Sequence, residues 1–314
     1  MLLREDYLSK IRGFYDSDLI KILVGIRRCG KSVILNQIIE ELKEKKKIDD
    51  EHVIFINFEF IEFEELLDYR KLNKYVKDKI KDEKMYYLFL DEIQNVDNFE
   101  KVVNSLRASI KNISIFLTGS NSKMLSDELS SVLSGRYVLF NINPLSYKEY
   151  VLLINKDGKD LETFWDYAKW GGLPNRCEFI NEIDIKNYLH SVYDSIILRD
   201  VVKRLNLKDT VLFDMILQYL IETTGREFSA DSIVKYLDKL YNYIDALCKA
   251  LILKKVYRYD ISGKGVLKTL NKYYATDLGI AQIKNNNPEF KSYVVLENIV
   301  YNELLNRNYE VYIG

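Results

Sequence analysis

The sequence predicts an α/β fold: a parallel sheet covered by helices on both faces, then a helical segment, then a winged helix-turn-helix. Three observations carry this. Short apolar runs alternate with helix-period segments up to about residue 145, the pattern of a parallel sheet buried on both faces. After Pro144 the strand signals stop and helical patterns take over. From residue 209 to 262 the order is helix, helix, basic helix and hairpin, as in a winged helix.

Residues 19–24 (Leu-Ile-Lys-Ile-Leu-Val) form an apolar run that ends in Gly25, the mark of a buried strand. Helical spacing follows in 31–46, where Val33, Ile34, Ile38, Ile39 and Leu42 share one face. Further strands are expected at Val53–Phe58, Tyr86–Leu90, Ser114–Thr118 and Tyr137–Ile142, with helices near 68–83, 98–110 and 122–133 between them. Residues 146–205 read as helices broken at Trp170-Gly171-Gly172-Leu173-Pro174. Beyond them come helices at Val211–Thr224, Ser229–Leu237 (Ser229 as N-cap) and Tyr241–Ala250. A strand at Ile252–Tyr259 then turns at Ser262-Gly263-Lys264-Gly265. Leu296–Asn306 has helical spacing, and Glu310–Ile313 that of a strand.

At 314 residues, 47% of them hydrophobic and 30% charged, the chain reads as a soluble globular protein of more than one domain. Its net charge of −1 gives no global attraction for nucleic acid. Residues 235–272, however, hold nine Lys and Arg against three Asp, a local excess that bears on partners. Cys29, Cys177 and Cys248 are odd in number and far apart, and no carboxylates stand at ligand spacing around His52 or His190. Neither a disulfide framework nor a zinc site is expected. The N-terminus turns charged too early for a signal peptide, and no apolar run approaches the ~18–20 residues of a membrane span. A cytoplasmic location is expected, with no membrane partner.

Gly25-Ile26-Arg27-Arg28-Cys29-Gly30-Lys31-Ser32 matches the P-loop pattern G-x-x-x-x-G-K-[ST], and it lies between a strand and a helix as that motif must. Gly25 and Gly30 let the backbone wrap tightly, so that N–H groups of Arg28, Cys29, Gly30, Lys31, Ser32 and Val33 can face phosphates at a helix N-terminus. Lys31 brings positive charge to the β- and γ-phosphates of ATP or another NTP, and the Ser32 hydroxyl coordinates Mg²⁺. Leu88-Phe89-Leu90-Asp91-Glu92 puts Asp91 at the sheet edge as a second Mg²⁺ partner and Glu92 where it can polarise an attacking water. The adjacent acids point to the P-loop branch with an extra strand between the two motifs. They favour hydrolysis, because kinases of small molecules usually lack the glutamate.

The fourth strand ends in Thr118-Gly119-Ser120-Asn121. Ser120 or Asn121 can meet the γ-phosphate or the lytic water there; a helix cap at Asn121 is the alternative. Arg136 can serve as an arginine finger on a neighbouring subunit of a homo-oligomer; a salt bridge is the alternative.

These segments, with Gly-Gly-Leu-Pro (171–174), Ile-Leu-Arg-Asp-Val-Val (197–202) and Val-Leu-Glu-Asn-Ile-Val-Tyr-Asn-Glu-Leu (295–304), resemble a prokaryotic AAA-type ATPase family over nearly the whole chain. The resemblance implies a P-loop ATPase core of ASCE/AAA type at 1–145, a helical lid at 146–206 and a winged-helix domain at 207–276. It also implies the start of an endonuclease-like module at 277–314, incomplete because the strand with its later acid and lysine would lie past Gly314. Kinship to the STAND signalling ATPases is implied too, with Gly172-Leu173-Pro174 contacting the nucleotide and Pro174 near the adenine. Glu297 would be the first acid of the endonuclease-like module.

Two functions of different class follow. One is a Mg²⁺-dependent ATPase that acts as a nucleotide-driven switch on DNA, with Lys249 entering the major groove and Lys254, Lys255 and Lys264 on phosphates. The alternative is a STAND-like regulatory ATPase that binds a protein partner and not DNA. A metabolite kinase has no acceptor-binding motif to support it.

Overall fold

The computed structural model describes residues 2–120, 133, 135–202, 215, 218, 237–260, 265–283 and 292–313, with 198–200, 237–241 and 267–270 described by backbone alone. Past its first two residues, the chain divides into two compact units: Leu3–Gly25 with Gly30–Ile142, and Ile26–Cys29 with Asn143–Gly314.

The first unit is the parallel sheet. Its elements are α1 (Glu5–Ile11), β1 (Ile20–Val24), α2 (Lys31–Lys46), β2 (Val53–Asn57), α3 (Tyr69–Lys79), β3 (Tyr86–Asp91), α4 (Phe99–Ser109), β4 (Ile113–Gly119) and β5 (Tyr137–Asn141). The strands lie in the order β2-β3-β4-β1-β5, all parallel. β4 separates β1 from β3, so the extra strand expected from the paired acids is present. Every residue of β1, β3 and β4 is buried, because helices cover both faces and both side-chain sets need apolar neighbours. Ile22, Val24, Leu88, Leu90, Ile115 and Leu117 form the centre of one face.

α1 was not foreseen. It buries Tyr7, Leu8 and Ile11, and Arg12 just beyond it is bidentate on Glu41 of α2. The helix expected at 122–133 falls outside the described residues, except for Leu133.

In the second unit α5 (Tyr147–Ile154) opens on a capping box between Ser146 and Glu149. α6 (Leu161–Trp170), a 3-10 turn at Pro174–Glu178 and α7 (Glu182–Ile196) follow. Gly171 has φ +72°, and an added Cβ would lie 2.3 Å from Asp277 Oδ1. Asp277 is buried, accepts the N–H of Gly172 at 2.8 Å and caps α9 (Leu278–Gln282) through Ile280. Farther along, α8 (Leu237–Lys249) leads into the antiparallel hairpin β6 (Leu253–Asp260) and β7 (Gly265–Ala275). This is the helix and hairpin expected of a winged helix. The two earlier helices, at Val211–Thr224 and Ser229–Leu237, lie outside the described residues except for Met215, Gln218 and Leu237, and so does the turn with Lys264.

α10 (Ser292–Asn306) starts earlier than its spacing suggested. The strand expected at Glu310–Ile313 reduces to one bridge, Ile313 beside Arg258 at the β6 edge. Among the described residues no helix is long and apolar enough to cross a membrane.

Candidate active site

The Gly25–Ser32 loop emerges where β1 ends. Gly30 takes φ 100° and Arg28 φ 65°, left-handed geometry that glycine adopts freely and an arginine adopts at a cost. α2 then starts at Lys31 with no side-chain cap on Gly30. A 16-residue helix thereby presents its positive end to the loop. Lys31 is buried; its Nζ donates to Gly25 O at 3.2 Å and lies 3.5 Å from Glu92 Oε1. Ser32 bonds the carboxylate of Asp91. Cys29 is buried and Arg28 exposed, while Val33 is half-buried in the first turn of α2.

Asp91 closes β3 and is fully buried. Its Oδ2 accepts Asn57 Nδ2 at 2.9 Å and its Oδ1 accepts Thr118 Oγ1 at 2.5 Å. Burial pushes its carboxyl above the ordinary range, against the pull of the Thr118 and Ser32 hydroxyls. A buried carboxylate whose bonds come from neutral groups, beside a serine hydroxyl, fits a hard divalent cation with an oxygen shell. When bound, Mg²⁺ would be held by Ser32 and Asp91 and would neutralise phosphate charge.

Glu92 follows in a left-handed conformation, φ 55°. Its N–H donates to Thr118 Oγ1 at 2.9 Å, and its Oε2 accepts Gln94 Nε2 and, at 3.2 Å, Ser120 Oγ. Lys31, Ser32, Asp91, Glu92 and Ser120 are thus brought together. Asn121 lies outside the described residues.

Sequence reasoning passed over three members. Asn57 ends β2 in register with Asp91; a polar residue closing the apolar run Val-Ile-Phe-Ile was its signal. Thr118, buried at the end of β4, was overlooked in favour of Ser120 and Asn121. Gln94 stands two residues past the Asp91-Glu92 pair and was given no role.

Arg136 is placed elsewhere. It is exposed, and its carbonyl accepts the N–H of Ile20 where β1 and β5 begin. That is the opposite sheet edge, roughly 15 Å of strand from the acids at ~3.3 Å per residue, so it cannot serve the site of its own chain. Pro174 opens the 3-10 turn of the second unit.

Two expectations are corrected. Lys254 is not a surface cation, because its ammonium donates to Asn143 Oδ1 and Asn302 Oδ1, each at 2.9 Å. Burial brings its pKa down to about 7. Carboxylates do gather at His52, for Asp49, Glu51 and His52 offer ligand atoms within 4.8 Å of one another. Lys84 reaches Asp49 at 3.7 Å and Asp82 bonds the imidazole at 3.1 Å. As for the other residues named for DNA or the C-terminal module, Lys249 pairs with Asp245 at 2.6 Å, and Lys255 lies over the Tyr257 ring at 4.8 Å. Glu297 accepts Lys272 Nζ at 3.0 Å and Tyr274 OH at 2.6 Å.

Comparison with known proteins matches residues 17–151 to an AAA domain and residues 161–289 to a domain of unknown function, DUF8612. An uncharacterized protein of Haemophilus influenzae is 36% identical over 328 residues, covering 100% of this chain and 81% of the relative. One of Methanocaldococcus jannaschii is 30% identical over 315 residues, covering 92% of this chain and 67% of the relative. Among solved structures, the Aeropyrum pernix ORC2 protein (ADPNP–ADP complexes) is similar over 95% of this chain and 92% of its own, with 11% identity and a TM-score of 0.46. The Aeropyrum pernix ORC1 protein in complex with DNA covers 98% and 95%, with 12% identity and a TM-score of 0.37.

Proposed function

We propose, since the chain belongs to a prokaryotic family that joins an AAA domain to a domain of unknown function (DUF8612), that it is a Mg²⁺-dependent ATPase working as a nucleotide-driven switch. One observation carries the reading. At a single sheet edge the P-loop lysine, Lys31, lies 3.5 Å from Glu92, and Ser32 bonds the fully buried Asp91 next to that glutamate. In this reading Lys31 and the loop amides bind the phosphates, Ser32 and Asp91 hold Mg²⁺, and Glu92 draws the proton from water. Arg136 acts only on a neighbouring copy. The division into core (1–145), lid (146–206), winged helix (207–276) and C-terminal module (277–314), and the role of Pro174, rest on the resemblance.

The switch acts on a protein partner in preference to DNA. The occupied ammonium of Lys254 favours this, since it removes one of the four lysines read as DNA contacts, and Lys249 is already paired.

Nucleotide binding and turnover by wild type, Lys31→Ala and Glu92→Gln test the ATPase reading. Lys31→Ala is expected to lose most binding, and Glu92→Gln to keep ATP but hydrolyse it at least about a hundredfold more slowly. Equal turnover by all three would overturn the assignment.

A further inference from the structure

Gln94 lies two residues past Glu92, in the 3-10 turn Ile93–Asn95, and is 7% exposed. Its Nε2 donates to Glu92 Oε2 and lies 3.4 Å from Ser120 Oγ. A carboxylate only accepts, so the amide nitrogen must face Glu92 and the oxygen must face away. That oxygen, Gln94 Oε1, is buried and has no hydrogen-bond partner among the described residues. An acceptor left so costs about 1–3 kcal/mol, and at a reacting centre it marks the place of a donor that arrives with the substrate.

We propose that Gln94 is a second catalytic residue, which orients Glu92 with Nε2 and accepts an O–H of the lytic water with Oε1. This rests on the ATPase reading above. A base alone holds one of the two O–H bonds of water and leaves the molecule to turn about it. A second acceptor directs the oxygen lone pair, and glutamine serves as a water-positioning group elsewhere in phosphoryl transfer. In the step, the water oxygen bonds to the γ-phosphorus. The bond from that phosphorus to the bridging oxygen breaks, and its electron pair leaves on ADP. One water proton passes to Glu92, while the other stays on the oxygen, directed at Gln94 Oε1.

The test compares the full chain with Gln94→Met, which keeps length but loses both amide atoms, and Gln94→Asn, which draws the amide back by one methylene. Gln94→Met is expected to lower kcat more than about tenfold with KM within about threefold. Its affinity for ADP with aluminium fluoride and Mg²⁺, which mimics the transition state, falls more than about tenfold, whereas affinity for a non-hydrolysable ATP analogue stays within about threefold. Gln94→Asn moves the same way by less. Should Gln94→Met fail to bind the analogue, Gln94→Asn decides by the same criteria. Unchanged kcat, or equal weakening of both ligands, overturns the proposal and leaves the ATPase reading standing. A wild type that binds no nucleotide overturns the ATPase reading itself.

Discussion

Thr118 Oγ1 donates to Asp91 Oδ1 at 2.5 Å while it accepts the backbone N–H of Glu92 at 2.9 Å. A single hydroxyl on β4 thereby sets the side chain of one acid and the backbone of the next. Glu92 sits at φ 55°, a conformation that costs a non-glycine residue about 1–3 kcal/mol and persists only where its surroundings hold it. The Thr118 hydroxyl is one of those holds.

Thr118→Val keeps the shape and removes the hydroxyl. We expect a loss of about 1–3 kcal/mol of stability, because the buried hydroxyl's bonds to the Asp91 carboxylate and the Glu92 N–H are both lost. Turnover should fall by about tenfold or more, with a higher half-saturating Mg²⁺ concentration. Denaturant unfolding and a Mg²⁺ titration of ATP turnover check both parts.

Lys21 is fully buried in β1, bonded to Ser114 Oγ at 2.8 Å and Ser17 O at 3.0 Å. Burial lowers its pKa to about 7, with Asp16 and Asp18 pulling partly back. An unfolded lysine titrates near about 10.4, so between these values the unfolded chain holds more protons. Stability therefore rises with pH across that window, and the burial penalty is fully present below about pH 7. From pH 7 to 9 the wild type should gain about 2–3 kcal/mol relative to Lys21→Met. Paired urea melts measure it, and parallel pH curves would refute it.

Gly171→Ala should be costly although it adds one methyl group. The residue sits at φ +72°, with Asp277 Oδ1 2.3 Å and Gly279 N 2.6 Å from the new Cβ. We expect a loss of about 2–4 kcal/mol. Thermal unfolding reads it, and Gly158→Ala, where the new Cβ meets only Val151 at 3.6 Å, is the control.

The protein-partner reading predicts no shift of duplex DNA at about 50 mM salt. A shift that weakens with salt, and whose salt slope drops in Lys255→Ala but not in Lys254→Met, would restore DNA as the partner.

Much of the fold was legible because its signals are local. Each strand of the sheet is a short apolar run, and α2 has a clear helical period from Lys31 to Lys46. The paired acids Asp91-Glu92 led to a strand between the two motifs, and β4 stands there. α1 gave no such signal, since its burial depends on packing and on Arg12 reaching Glu41 from 29 residues away. The Glu310–Ile313 run had strand spacing but found an edge for only one residue.

The sequence by itself determined the segments that are contiguous in the chain: the Gly25–Ser32 loop between strand and helix, the Asp91-Glu92 pair at a strand end, and the helix and hairpin around Lys249 and Lys255. Only the tertiary structure decided which residues of other strands join those segments. Asn57 and Thr118 reach Asp91 because parallel register aligns the ends of β2, β3 and β4. The same register carries Arg136 to the far edge of the sheet. Lys254 reads in sequence as one more surface charge, and packing turns it between two asparagines. The reason is common to all of these. Spacing along the chain specifies which face a side chain occupies, whereas its neighbours across strands and helices are specified only when the elements assemble.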